Sequence, residues 1–299
     1  MRRLLRLILL VCGLTSGFLS NGTGAHATIV RFDTNLGSIL VRLYDTATPI
    51  TTNNFLAYVN ANSWDNSFIH RSVSGFVVQG GGYKLDPDIF NTVDITSFAP
   101  IQNEFGISNL RGTIAMAKLG GDPNSATNEW FFNLANNSAN LDNQNGGFTV
   151  FGRITSGLSV IDDIAALDIV SAGEPFTNVP VLDFDKVIAQ NNILDEDAVI
   201  VSDVSVLSFP DADYDFNHKV AGQDFIFWQR TFGSTTVAVA DGNGNGVVDV
   251  ADLSLWQAGY GASSATSTTA AVPEPATLAL AGGFAWLLVA RRFRRRATD

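Results

Sequence analysis

The chain has 299 residues, with 29 acidic against 18 basic side chains, a net charge of −11, one cysteine and three histidines. So acidic a balance argues against a nucleic-acid partner. The lone Cys12 excludes an intrachain disulfide, there is no Gly-x-Ser-x-Gly elbow or Walker loop, and His70 and His218 are too few for a histidine-rich zinc centre.

Residues 1–27 begin with Arg2, Arg3 and Arg6, continue through the apolar run Leu7 to Leu14, and end on Ala25-His26-Ala27. Basic, apolar, then small-x-small is the order of a secretory signal peptide, and it predicts cleavage after Ala27. The apolar run is well short of the roughly 20 residues that span a bilayer. Val11 is bulkier than the residue a lipoprotein signal places before its cysteine, so Cys12 reads as part of the leader. Residues 28–272 then carry 10 basic and 27 acidic side chains, a net charge near −17. Their length suits one good-sized domain and something smaller.

Short alternating runs dominate from Thr28 onward. Ile29 to Phe32 and Ser38 to Leu43 flank Thr34-Asn35-Leu36-Gly37, a hairpin signal. Pro49 opens a helix with Phe55, Leu56 and Val59 on one face and Thr48 as its expected cap. Further strand-like runs are Phe76 to Val78, Gly112 to Ala117, Trp130 to Phe132 and Phe148 to Phe151. A second helix is predicted from Leu158 to Leu167, with Val160, Ile161, Ile164 and Leu167 at helical spacing. Many strands with one helix early and one late predict a mainly β fold, a closed barrel capped by two helices, since closure removes exposed edges.

Within this region lie Phe68-Ile69-His70-Arg71-x-x-x-Gly75-Phe76-Val77-Val78-Gln79-Gly80-Gly81, Asn109-Leu110-Arg111-Gly112 to Met116-Ala117, Asn128-Glu129-Trp130-Phe131-Phe132-Asn133-Leu134 and Gly146-Gly147-Phe148-Thr149-Val150-Phe151-Gly152. In this order, over about residues 28 to 192, they resemble the cyclophilin family of peptidyl-prolyl cis/trans isomerases. The resemblance implies an eight-stranded antiparallel β-barrel with two capping helices, proline-containing polypeptides as substrates and no cofactor for catalysis. It implies Arg71, Gln79 and Phe76 as catalytic residues, with Val77, Ala117, Phe131, Leu141 and Phe148 holding the substrate. The chemistry suits these types. Amide resonance makes peptide-bond rotation cost about 20 kcal/mol. A fixed guanidinium aimed at the proline nitrogen stabilises the twisted state more than the planar one. The chain departs from the usual family pattern at Val77 for Met, Lys118 for Asn, Glu129 for Gln, Asn140 for Trp and Phe148 for His. These changes leave open a groove that binds proline peptides with little turnover.

Around Asp195 the pattern loosens, and residues 195–210 read as a linker. From Asp211 an internal repeat begins: Asp213, Trp228 and Phe232-Gly233 recur 28 residues on as Asp241, Trp256 and Tyr260-Gly261. Asp213, Asp215, Asn217, Lys219 (by its carbonyl) and Asp224 fall at positions 1, 3, 5, 7 and 12 of an EF-hand-like loop. Asp241, Asn243, Asn245, Val247 (by its carbonyl), Asp249 and Asp252 repeat it. Hard oxygen ligands at these intervals suit Ca2+. Gly246 supplies the tight turn at position 6 of the second loop, where the first has His218. Each loop runs into a hydrophobic helix start, at Phe225 and at Leu253. A duplicated loop–helix unit over 211–262 resembles dockerin modules, which implies a docking protein as partner; a calcium-dependent docking protein is the second alternative reading of the whole chain.

Residues 263–272 are a Ser/Thr/Ala spacer. Then come Val272-Pro273-Glu274-Pro275-Ala276, an apolar run from Thr277 to Ala290, and five arginines between Arg291 and Arg296. Residues 273–299 resemble the PEP-CTERM sorting signal, which implies a hydrophobic C-terminal helix, sorting machinery at the inner membrane and delivery to the cell envelope or outside. A plain tail anchor with its basic end cytoplasmic is the alternative.

Overall fold

The computed structural model describes residues 27–236 and 239–263. The signal segment up to His26 and the 273–299 tail lie outside the described residues. Among those described, no helix is long and apolar enough to cross a membrane.

In chain order the strands of the main body are β1 (Ile29–Thr34), β2 (Gly37–Leu43), β3 (Ser67–Phe68), β4 (Arg71–Val73), β5 (Val77–Gly80), β6 (Tyr83–Leu85), β7 (Thr92–Asp94), β8 (Thr113–Met116), β9 (Trp130–Asn133) and β10 (Val150–Ser156). A small hairpin, β11 (Asp168–Val170) and β12 (Val179–Val181), follows, and then β13 (Ile200–Leu207). The helices are α1 (Pro49–Asn60), α2 (Ser138–Leu141), α3 (Leu158–Ala166), α4 (Phe184–Gln190), α5 (Gly222–Thr231) and α6 (Val250–Gly259).

Eleven strands form one antiparallel sheet in the order β4-β5-β9-β8-β10-β2-β1-β13-β3-β6-β7. This corrects the expected closed eight-stranded barrel: the sheet curls into a half-barrel, and its two edges do not pair. β3 and β4 are neighbours in sequence yet lie far apart in the sheet. Ile69 and His70 carry the chain across the gap, the Ile69 amide bonding the Val199 carbonyl (2.9 Å) and the Ser72 amide turning to Asn178 (2.8 Å). The β4 edge is thus covered by the loop before β12, which a strand edge requires as much as closure does.

β13 overturns the linker expected at 195–210. It pairs with β1 along its length and with β3 on its other side. Its register shifts opposite Asp33 and Thr34, so the buried Val201 and Val204 stand three residues apart. Such a bulge breaks the period-2 signature that reveals strands.

Inside the curl, Phe32, Phe55, Trp64, Trp130, Phe132 and Phe151 pack together, with T-shaped Phe32–Trp130 and Phe32–Phe132 pairs at 5.0 and 5.5 Å. Helix α3 adds Ile161 and Ile164. Helix α1 begins at Pro49 as expected, but Thr48 does not cap it: its hydroxyl donates to the Tyr44 carbonyl (3.2 Å). The carboxylate of Glu104, distant in sequence, accepts from the amides of Ile50 (3.1 Å) and Thr51 (2.7 Å) instead. An anion at a helix N-terminus satisfies the same orphan donors as a local cap.

Helices α5 and α6 belong to the repeat, which packs on the outer face of β2. Alternation sends Ile39, Val41 and Leu43 inward and Arg42 outward, yet Arg42 is only 4 % exposed because the repeat lies over it. Its Nη1 donates to the Asp241 carbonyl (3.2 Å), and its guanidinium sits over the rings of Tyr214 (5.9 Å) and Phe216 (5.6 Å). The Thr46 hydroxyl donates to the Asn243 carbonyl (2.7 Å), and the Ala27 and Ala47 amides donate to Gly242 and Gly244.

Candidate active site

Strand alternation builds the site on the outer face of the half-barrel wall. In β9, Trp130 and Phe132 point into the core while Phe131 points out; in β5, Val78 points in while Val77 and Gln79 point out. The register then lines up one row across four strands: Arg71 opposite Gln79, Gln79 opposite Phe131, and Phe131 opposite Ala115. Residues from four separate segments thus become neighbours because each sits on the same rung. Gly80 and Gly81 are needed behind it. A Cβ on Gly80 would lie 2.9 Å from Trp130, and on Gly81, whose φ is +88°, 2.6 Å from the Asn128 carbonyl.

Beside this row lies an apolar cluster of Val77, Ala115, Phe131, Leu141, Val150 and Tyr44, with Phe76, Ala117 and Phe148 partly buried against it. Phe131 and Phe148 meet edge to face at 5.9 Å. Every substrate-binding residue expected from the sequence therefore falls in one cluster. The Arg71 guanidinium stands 6.0 Å over the Phe76 ring, at the border between polar and apolar surface. Burial lowers its pKa and the neighbouring Glu129 opposes this. Its Nη1 donates to Gln79 Oε1 (3.1 Å).

Lys118 straps the far rim: its Nζ donates to the Asn145 (2.9 Å) and Gly147 (2.7 Å) carbonyls and lies 4.8 Å over the Phe148 ring. Asn140 takes its place in α2, the short helix that also presents Leu141.

Sequence reasoning missed the buried polar frame behind the groove. Asn133 Nδ2 donates to Asn109 Oδ1 (3.2 Å) and Thr113 Oγ1 (2.9 Å), and Asn137 Nδ2 donates to Asn133 Oδ1 and the Phe76 carbonyl (both 2.8 Å). Asn109 Nδ2 reaches Asp142 Oδ1 (2.9 Å) and the Phe148 carbonyl (3.0 Å). Two of the loops that carry the groove's aromatic rings are therefore tied to one network, where each buried amide has its partners. The signal was present as asparagines in otherwise apolar motifs.

The repeat shows strict 28-residue correspondence. Asp213 accepts from the amides of Asn217 (3.0 Å) and His218 (2.7 Å), and Asp241 from those of Asn245 (3.1 Å) and Gly246 (2.8 Å). Asp224 gathers the amides of Tyr214, Asp215 and Ala221, as Asp252 gathers those of Gly242, Asn243 and Asp249. His218 takes φ +67° where Gly246 takes +86°, so the first loop makes the same left-handed turn without glycine. Each tryptophan crosses to the other repeat: Trp228 Nε1 donates to the Asp249 carbonyl (2.7 Å), Trp256 Nε1 to that of Ala221 (2.8 Å). Asn217 and Asn245 turn their side-chain oxygens to the amides of Lys219 and Val247, and Asp249 also caps α6 through the Ala251 amide (2.7 Å).

Asp213, Asp224, Asp241 and Asp252 are all buried, and carboxylate oxygens of Asp213, Asp215 and Asp224 lie within 4.8 Å of one another. Burial, with lesser contributions from Asp224 and Asp252, pushes Asp213 and Asp241 up to about 6. Four buried carboxylates with Arg42 as a partial counter-charge, in a set of hard oxygen donors, fit a divalent ion of the Ca2+ type.

Comparison with known proteins places the domain in a family. Residues 29–186 match the family described as cyclophilin type peptidyl-prolyl cis-trans isomerase/CLD. A peptidyl-prolyl cis-trans isomerase of Acinetobacter baylyi is 40% identical over 147 residues, covering 47% of this chain and 75% of that protein. Isomerase A of Dickeya dadantii is 35% identical over 183 residues, covering 60% and 92%. Isomerase B of Escherichia coli is 35% identical over 142 residues, covering 46% and 83%. A solved cyclophilin-type isomerase of Cryptosporidium parvum aligns with TM-score 0.45 and 20% identity over 62% of this chain and all of its own. On the family match over residues 29–186 and the identity to these curated isomerases, the chain belongs to the cyclophilin-type peptidyl-prolyl cis-trans isomerase family.

Proposed function

We propose that this isomerase acts on exported, proline-containing polypeptides in the cell envelope or outside the cell, with a calcium-loaded repeat as a docking module. The observation that carries the enzymatic part is the single rung Arg71–Gln79–Phe131–Ala115 beside the cup.

The reaction makes and breaks no covalent bond. Rotation about the X–Pro bond removes amide resonance, and the proline nitrogen regains a lone pair as it leaves the plane. In this reading Phe76, Val77, Phe131, Leu141 and Phe148 hold the ring and exclude water. Arg71 then donates to the nitrogen in the twisted state, where the bond is strongest, which lowers the barrier instead of merely binding substrate. Gln79 anchors the guanidinium, since its oxygen already accepts from Arg71. Ala117 lines the groove for the residue before proline.

The test is a proline-peptide isomerisation assay on the full chain. Arg71→Ala is expected to lose about 100-fold in kcat/KM, the usual effect of removing one preorganised donor, with circular dichroism unchanged. An inactive wild type would favour the reading of a proline-peptide binder.

The module reading rests on the four buried carboxylates and the fixed 28-residue correspondence. Asp213, Asp215, Asn217, Asp224 and the Lys219 carbonyl would hold one Ca2+; Asp241, Asn243, Asn245, Asp249, Asp252 and the Val247 carbonyl would hold the second. The ion would supply charge neutralisation and no catalytic chemistry. Export rests on the sequence of the leader and the 273–299 segment; N-terminal sequencing of secreted protein beginning at Thr28, and loss of the tail by mass, are the checks.

A further inference from the structure

The row described above continues past Gln79. Gln79 Nε2 donates to Glu129 Oε2 at 2.6 Å, and His70 Nε2 lies 3.5 Å from the same oxygen. Four side chains, His70, Glu129, Gln79 and Arg71, therefore form one polar chain, with Glu129 at its centre.

A glutamine amide fits a site almost equally well in two orientations, and only its partners decide between them. A carboxylate can accept and cannot donate. Glu129 therefore admits one orientation alone: the NH2 turns toward the carboxylate and the oxygen toward Arg71. The same logic places a proton on His70 Nε2; among the described residues His70 Nδ1, buried, has no hydrogen-bond partner. The carboxylate is itself well placed. Glu129 leads directly into Trp130 of β9, its backbone carbonyl accepts from the Ala117 amide (2.9 Å), and a Cβ at Gly82 would sit 3.1 Å from its side-chain Oε1. Burial alone would raise the Glu129 pKa, but His70, Gln79 and Arg71 outweigh it and hold it below its ordinary value.

We propose that Glu129 is a positioning residue for proline isomerisation: it locks the Gln79 amide so that its oxygen holds the Arg71 guanidinium against the groove. The proposal rests on the isomerase reading of Arg71. A glutamine at 129, the residue usual in the family, presents either an oxygen or an NH2 to Gln79; the carboxylate makes the lock depend on charge. The titratable groups facing it are His70, Arg71 and, at greater distance, Tyr83.

The experiment measures kcat and KM across pH for the full chain, its Glu129→Ala and its Glu129→Gln variants, alongside 15N NMR of the Arg71 Nε–H. Glu129→Ala is expected to lower kcat about tenfold, as loss of one charge-assisted bond does, with KM within about twofold and the Arg71 signal broadened. Wild-type kcat should fall as the carboxylate protonates below about pH 4.5, the ordinary value for glutamate, while Glu129→Gln, which keeps shape and fold, stays flat through that range. Unchanged Arg71 signals and kcat in both variants, or an acid limb that survives in Glu129→Gln, overturn the proposal. A wild type without turnover defeats the isomerase reading instead, and the Arg71 signals would still report the lock.

Discussion

The groove and the repeat handle buried charge in opposite ways. At the groove, Glu129 is surrounded by His70, Gln79 and Arg71, and its pKa falls in spite of burial. In the repeat, Asp213 and Asp241 accept from backbone amides, Arg42 of the sheet only partly offsets the burial of Asp241, and burial drives both up to about 6. The first region carries its counter-charges in the sequence; in the proposed reading the second takes one from solution. A folded site with satisfied carboxylates is ready to act, whereas one with raised carboxylates is ready to bind.

Four perturbations test that contrast. The largest effect should come from Phe131→Ala, which removes a buried ring shared by the cup and the row and costs about 3–5 kcal/mol. Denaturant melts should show it in the sheet while calcium titration of the repeat stays unchanged; a shift in calcium affinity would merge the two regions. Next, calcium at about 100-fold over its Kd should stabilise the repeat by about 2.7 kcal/mol and leave the isomerisation rate within about twofold, read by thermal melts with Trp228 and Trp256 fluorescence. Without metal the sign reverses with pH. The native carboxylates keep protons that the unfolded chain, with carboxyl pKa near 3.9, has already released, so stability should fall as pH climbs from about 4 through about 6. No response to calcium, or metal-free stability that rises over that interval, would break the comparison. The smallest effect is expected from Trp256→Phe, which strips a donor from the Ala221 carbonyl and should cost about 1 kcal/mol in the repeat alone.

Arg71, Gln79 and Phe131 were legible through the motifs that resemble the cyclophilin family; that they share one row follows from strand alternation, Phe131 differing from Trp130 and Phe132 in the face it takes. Helices α1 and α3 were readable from Pro49 and from the Ile161–Ile164 spacing. The Gln79–Glu129 contact was not, since it depends on the β5–β9 register between residues 50 positions apart. Glu104 was hidden for the same reason, capping α1 from a distant loop. β13 escaped because its bulge breaks the alternation of its buried valines, and the open edge at β4 escaped because a loop bond at Asn178 replaces strand pairing there.

That bulged strand has a consequence for how the protein comes into being. β1, the first strand of the described chain, has β2 on one side and waits for Ile200–Leu207 on the other. An amino-terminal half emerging from a ribosome cannot complete its sheet until residue 207 has cleared the exit. A fragment cut at 194 lacks its final strand altogether. When the sheet is complete the repeat has still to emerge, because Asp241, whose carbonyl accepts from Arg42, and helix α6 follow β13 in the chain; Arg42 therefore stays uncovered until the second half of the repeat has formed.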